Sequence, residues 1–385
     1  MIIIKRLLVF ITITLTVFSL YQPKTAKAEG ENVDSIVEEE LSKIDLEELR
    51  NFYSELSPDL DLKDVLIKII KGEYDFRYDS FFSYVIKILF QKINGFLPDI
   101  FLIVAIALIL SILKSGRGFV LSDELSKVTS FIFVFIIGFI ILKDIYKCFE
   151  ITGNTIQNLS KLVEIMSPII ITLSLTTGGF NGANFFKPTT VIASGGFSVL
   201  ISSVVFPLVI LLFTFSFLDA LSQDFDFSGF SSSVTGLLKF VLGLLVTVFG
   251  IYSVVFGVVG RNIDGVSVKI TKYLISSSVP IVGNMVKDGL DVIMLGCLLI
   301  KNALGLVSVI GILFIILSPL LFNLTLLLLF KLCSGFCGLF GENGTGKLIN
   351  GACTGLKYLN IALITSSFIT LTSVLSVCLS VGNAL

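Results

Sequence analysis

The stretch Gly341-Glu-Asn-Gly-Thr-Gly346-Lys347 has the residue types of a phosphate-binding loop, with glycines that let backbone N–H groups approach a phosphate and a lysine to reach it. The match stops one residue later, because Leu348 stands where a Ser or Thr hydroxyl must hold magnesium. The residues before it, Cys333 to Phe340, end an apolar run and not a strand, so the spacing predicts a plain cytoplasmic loop. Cys333 and Cys337 are one helical turn apart and Cys353 follows, but these thiols with no His beside them make a poor zinc site. They read instead as small buried hydrophobes. The chain contains no His at all, which removes the usual general base near neutral pH and the commonest metal ligand. No paired-carboxylate, nucleophile-elbow or basic-aromatic pattern supports hydrolysis or nucleic-acid binding. The expectation is a protein that is not an enzyme, with no catalytic residues, cofactor, metal or nucleic-acid partner.

Charged residues inside apolar surroundings are the other place to look. A charge at bilayer depth costs at least ~2.5 kcal/mol on insertion scales, so one that persists faces a bundle interior, a water path or another charge. Lys287 and Asp291 are four apart within Val279 to Ile300, and Asp288 shares their side of a helix. That segment is either a span with a polar face or an amphipathic helix lying among headgroups. Glu164, four residues before Pro168, poses the same choice.

The elements that would carry these groups are membrane helices. Leu97 to Leu113, Val128 to Leu142, Val191 to Leu218, Phe240 to Val259 and Ala303 to Phe330 are nearly free of charge, and a span needs about 20 such residues. Within lipid every backbone polar group must be satisfied internally, so these runs read as helices; they lack the alternation of a β-barrel. Hydrophobic residues make up 54% of the chain and charged ones 15%, with a mean hydropathy of +0.97, against about 45–50% and about 25% for soluble domains. The fold class expected is an all-α polytopic membrane protein with about seven to eight transmembrane helices. Val191 to Leu218 is either one tilted span or two half-helices hinged near Gly195-Gly196 and Pro207.

Three regions divide the chain. Residues 1–28 read as a signal peptide: Lys5 and Arg6 precede the apolar Leu7 to Leu20, and Ala26-Lys27-Ala28 is the small-x-small pattern of a cleavage site, an uncleaved anchor being the alternative. Residues 29–95 hold 16 acidic and 8 basic residues, whereas residues 96–385 hold 13 and 16. In that acidic extracytoplasmic segment Ile36, Val37, Leu41, Ile44, Leu49, Phe52 and Leu56 recur at helical spacing, which predicts amphipathic helices that lean on the membrane or a partner. Residues 96–385 form the multi-span region. With eight crossings, ten Lys and Arg fall in the inner loops against five outside, and Leu385 returns to the side of residue 29. Gly236, Gly243, Gly250 and Gly257 repeat every seven residues and predict a face that another helix approaches closely. Gly351 and Gly355 form a single G-x-x-x-G, a weaker signal.

One stretch resembles a known family. Arg261-Asn-Ile-Asp264-Gly265-Val266-Ser267-Val268-Lys269, then Val279-Pro280-Ile281-Val282-Gly283, Asp288, Asp291 and Leu299-Ile300-Lys301-Asn302-Ala303-Leu304-Gly305, is similar to the stage III sporulation protein AE family of endospore-forming bacteria. The layout of signal, acidic segment and polytopic region fits that family throughout, and the specific match lies in residues 261–305. The resemblance implies a multi-pass subunit in the mother-cell-derived outer forespore membrane. It implies partners: other membrane and ring-forming subunits of a channel or secretion-like complex, and a separate ATPase subunit. The complex would support late gene expression in the forespore. The family supplies no catalytic residues, so Asp264, Lys269, Lys287, Asp288, Asp291, Lys301 and Asn302 are candidates for structural or conduit roles. A stand-alone secondary transporter or permease is the alternative reading.

Overall fold

Long apolar sequences with few turn signals keep propagating helix, because each added residue closes another backbone hydrogen bond once the first turn exists. The structure, a computed structural model, describes residues 39–56 other than 40 and 43, and residues 61–71, 78–115, 123–176, 195–222, 225–251, 282–340 and 343–378. Two short helices come first, α1 (Glu47–Leu56) and α2 (Leu62–Ile70). Six longer ones follow: α3 (Tyr78–Ser115), α4 (Asp123–Thr176), α5 (Phe197–Leu221), α6 (Ser228–Ile251), α7 (Val282–Leu339) and α8 (Asn343–Cys378). No strand occurs among the described residues. Each of the six carries a stretch long and apolar enough to cross a bilayer, so the chain is an all-α, multi-pass membrane protein.

Among the described residues six such helices stand beside the seven to eight expected, because runs read separately share a helix in two places. Val128 to Leu142 and the stretch through Glu164 and Pro168 both lie on α4, whose 54 residues form one uninterrupted helix. The described part of Val279 to Ile300, from Val282 on, and Ala303 to Phe330 likewise share α7, of 58 residues. Thr152-Gly153-Asn154-Thr155 between the first pair has the composition of a loop, yet it stays helical with Thr152 and Thr155 buried and Thr155 Oγ1 donating to Ile151 O at 2.6 Å. Pro168 and Pro319 sit inside these helices without ending them. Val191 to Leu218 is not two half-helices either: its described part belongs to α5, which takes up Pro207 through a π turn at Ile201–Val205. The Phe206 N–H there donates to Ile201 O, five residues back.

A helix of 54 residues is about 80 Å long, far beyond the ~30 Å of a hydrocarbon core. Its exposed face says which part meets lipid. From Val128 to Leu142 the exposed large side chains are apolar, among them Phe131, Ile132, Phe135, Ile136 and Phe139. Between 154 and 172 the exposed positions are Asn154, Gln157, Lys161, Glu164, Pro168 and Thr172, which suit water. Charges mark the boundary: Lys143 Nζ lies 3.1 Å from Asp99 Oδ2 of α3, and Lys92 and Lys147 sit 5.4 and 5.6 Å from the Phe322 ring of α7. From Lys127 to Lys143 the rise is about 24 Å, close to a bilayer core once lysine side chains reach outward.

Two packed cores are stacked along the long helices. The lower one gathers Ile103 of α3, Ile137 of α4, Leu212 of α5, Leu238 of α6, Phe330 of α7 and Leu359 of α8. The upper one joins Leu162 and Ile170 of α4, Leu304 and Ile310 of α7, and Val374 of α8 to Leu49 and Tyr53 of α1 and Leu66 of α2. Helices of 10 and 9 residues are too short to persist in water unaided. Here burial of Leu49, Tyr53, Leu62 and Leu66 supplies about 1.5–3 kcal/mol for each side chain. The acidic segment therefore rests on the chain's own α4 and α7, where a membrane surface or partner was expected. Its seat is specific: Tyr53 Oη donates to Val307 O at 2.9 Å, and the ring lies over Gly311, where a Cβ would collide with it.

Candidate functional site

The residues singled out from the sequence fall into three groups. Asp264, Lys269, Gly257, Ala26 and Ala28 lie outside the described residues. Lys287, Asp288 and Asp291 lie on the first turns of α7, with side chains outside what the structure describes. Lys301 and Asn302 are placed in full. Lys301 is wholly buried and Asn302 half-buried, on the part of α7 that carries the upper core residues Ile300, Ala303 and Leu304. Lys301 is 21 residues before Phe322, about 31 Å along the helix from it, so it is a buried cation of the upper bundle. A second polar contact crosses the bundle near the charged boundary, where Asn323 Nδ2 of α7 donates to Thr152 Oγ1 of α4 at 3.0 Å, both residues fully buried.

Helix termini build a different site at the opposite end of the lower bundle. Ser111 Oγ of α3 donates to Phe340 O beyond α7 at 2.7 Å, bringing those two ends together. Asp219, near the end of α5 and buried, takes Lys347 Nζ of α8 at 3.1 Å and accepts the Phe227 N–H at 3.1 Å. The chain then enters α6 through Asp226, whose Oδ1 accepts the Ser228 N–H at 2.9 Å. The Ser228 hydroxyl and backbone N–H hold the Asp226 carboxyl below the usual carboxylate range. Lys114, Lys127, Asp219 and Lys347 line one cavity of about 270 Å³ at this end.

The phosphate-loop lookalike resolves here. Asn343 to Lys347 is the first turn of α8 and follows helix α7, so no strand precedes it and the glycines form no phosphate cradle. Lys347 spends its charge on Asp219. A lysine on a plain loop would make Lys347→Ala nearly silent; the pair predicts a small cost. Because the Lys347 side chain is 55% exposed, we expect about 0.5–1 kcal/mol in K347A, measured as a melting shift in detergent. D219N should cost a similar amount, and the double variant little more, since both remove one contact. Fully additive losses would show that the two side chains act separately.

Glycines also change places. Gly236, Gly243 and Gly250 have nothing within 4 Å of an added Cβ, because α6 buries Val234, Leu238, Leu242, Leu245 and Phe249 instead. Among the described residues no helix packs on Gly236, Gly243 or Gly250. The weaker G-x-x-x-G is the one in use: a Cβ at Gly351 would strike the Ser216 side chain of α5, and one at Gly355 would lie 3.2 Å from Val209 Cγ1.

Comparison with known proteins bears on the whole bundle. The family model described as stage III sporulation protein AE matches residues 60–382. The stage III sporulation protein AE of Bacillus subtilis (strain 168) is 21% identical over 363 residues, covering 92% of this chain and 90% of the relative. No solved structure matches.

Proposed function

The chain belongs to the stage III sporulation protein AE family, and on that premise we propose that it is a membrane subunit of a sporulation-specific channel or secretion-like complex in the outer forespore membrane. Its role in sporulation follows from the family. The finer reading is supported by one observation above others: α4 is apolar on its exposed face over 128–142 and largely polar over 154–172. Such a helix crosses lipid once and then lifts a second bundle, capped by the acidic α1 and α2, clear of the membrane. A subunit that must meet partners across an intermembrane space needs a water-facing platform of this kind. In this reading the platform is extracytoplasmic, the helix ends around Asp219 are cytoplasmic, and ring-forming subunits and a separate ATPase subunit complete the apparatus. Merging the two pairs of predicted spans leaves an even number of crossings, so Leu385 stays on the side of residue 29. It also moves Lys187, Arg261, Lys269 and Lys272 outward, and orientation then rests on the leader and the acidic segment rather than on loop charge.

Affinity purification of the full chain from the outer forespore membranes of sporulating cells tests the proposal. Ring-forming and ATPase subunits should be recovered with it. Recovery of the chain alone, together with solute uptake by vesicles containing only this protein, would favour the stand-alone transporter instead.

A further inference from the structure

Two buried amides come together where α4, α7 and α8 join. Asn323 of α7 and Asn360 of α8 have exposures of 0% and 1%. Two contacts fix how α7 and α8 lie against each other: Ser334 Oγ donates to Gly346 O at 3.4 Å, and Cys353 Sγ donates to Leu327 O at 3.8 Å. From the first contact to the second α7 steps back seven residues and α8 steps forward seven, so the helices are antiparallel and keep one register. One more step of seven sets Asn360 opposite Leu320, three residues, or about 4.5 Å of rise, from Asn323. Residues seven apart share a helix face, so Asn360 looks toward α7 as Cys353 does.

The nitrogens of both amides are committed. Asn323 Nδ2 donates to Thr152 Oγ1 of α4 at 3.0 Å, and Asn360 Nδ2 donates to Leu356 O of its own helix at 3.2 Å. The oxygens are the ends left over: neither Asn323 Oδ1 nor Asn360 Oδ1 has a hydrogen-bond partner among the described residues. Folded interiors leave very few such groups unmet, and two acceptors this close can share one molecule that has two hydrogens to give.

We propose that a water molecule is bound here, donating one hydrogen to Asn323 Oδ1 and the other to Asn360 Oδ1, so that it ties α7 to α8 beside the bond that ties α7 to α4. Water suits the site better than a metal cation. Both oxygens belong to neutral amides, and Lys357, which the same register sets level with Asn323, already brings a positive charge, its Nζ 5.8 Å from the Tyr358 ring. The inference does not depend on the channel reading.

The experiment is a structure of the purified wild-type chain at about 2 Å resolution, where ordered water is seen although hydrogens are not. A separate density peak should stand about 2.7–3.2 Å from both amide oxygens. A map of that quality with no such peak overturns the proposal, whether the amides bond each other, take Lys357 Nζ or stay unmet. Thermal melting reads the same site independently. N323L and N360L should each lower the midpoint by about 2–4 °C, because each leaves the other oxygen short of its bridge. N323L/N360L should lose less than the two losses together, and a loss equal to both overturns the proposal. Exchanging sodium chloride for choline chloride should leave the wild-type midpoint unchanged; a fall in choline overturns the proposal in favour of a cation site. Should a variant fail to fold, the map and the salt exchange, both made on wild type, still decide.

Discussion

Leucine at Gly351 is expected to drive α5 away from α8 and leave little folded protein. A side chain there begins inside the space of Ser216, which is itself buried and bonded to Leu212 O at 2.8 Å. Neither atom group is the loose end of a flexible chain, so the helices must separate. Helix association in lipid depends on close contact because tails are as apolar as leucine, and a gap forfeits that contact over the full interface. Overpacking costs about 1–3 kcal/mol where the surroundings can shift; with backbone so near, we expect G351L at or beyond the top of that range. Thermal melting of the purified protein, followed by size-exclusion chromatography, checks it. G243L serves as the comparison, since a Cβ at that exposed position meets nothing within 4 Å among the described residues. A G351L protein as stable as wild type would refute the α5–α8 contact. A stable G243L that cannot sporulate would place the outward glycine stripe against another subunit.

Valine at Gly311 should have the second-largest effect, confined to the upper bundle. Its side chain would occupy the place of the Tyr53 ring, and α1 and α2 have no other anchor of comparable specificity among the described residues. Loss of the Leu49, Tyr53 and Leu66 contacts removes several kcal/mol from the docked segment. Limited proteolysis should then cleave residues 47–70 much faster, while the lower bundle keeps its melting temperature. Y53F keeps the ring and removes only the hydroxyl's bond to Val307 O, a loss of about 1 kcal/mol. Burial raises the Tyr53 phenol above its ordinary value of 10.0, so its contribution is whole below that pH and fades as pH climbs past it. Slow cleavage in G311V, equal to wild type, would mean that α1 is held elsewhere.

How far the residues announced this arrangement depends on the physics each feature used. Helical class and membrane residence were legible because lipid imposes one requirement on every backbone group, and uncharged runs such as Leu97 to Leu113 advertise it. Span boundaries were not, because Lys143, Asp144, Lys147 and Glu150 suit a loop as well as a polar belt within a continuous helix. Hydropathy averages over a helix circumference; only the exposed face, apolar at Phe135 and polar at Lys161, separates the cases. Which glycine pattern meets a helix of this chain was hidden for a related reason. Periodicity shows that Gly236, Gly243 and Gly250 share a face, but whether anything stands opposite depends on neighbours distant in sequence. The seat of Tyr53 on Gly311 and the Asp219–Lys347 pair join residues 258 and 128 positions apart, and neither has a local signature. Of the charged candidates, Lys301 is the one that the structure buries completely, among the upper core residues Ile300, Ala303 and Leu304.

Cysteine labelling on α4 tests most directly the claim that this helix crosses once and raises a bundle above the membrane. In a cysteine-free background, single cysteines at Phe139 and Glu164 both occupy exposed positions of the same helix, about 37 Å apart. A membrane-impermeant maleimide added outside spheroplasts should label E164C rapidly and leave F139C unmodified. Protection of E164C to the same degree as F139C would put the second half of α4 in lipid and contradict the account.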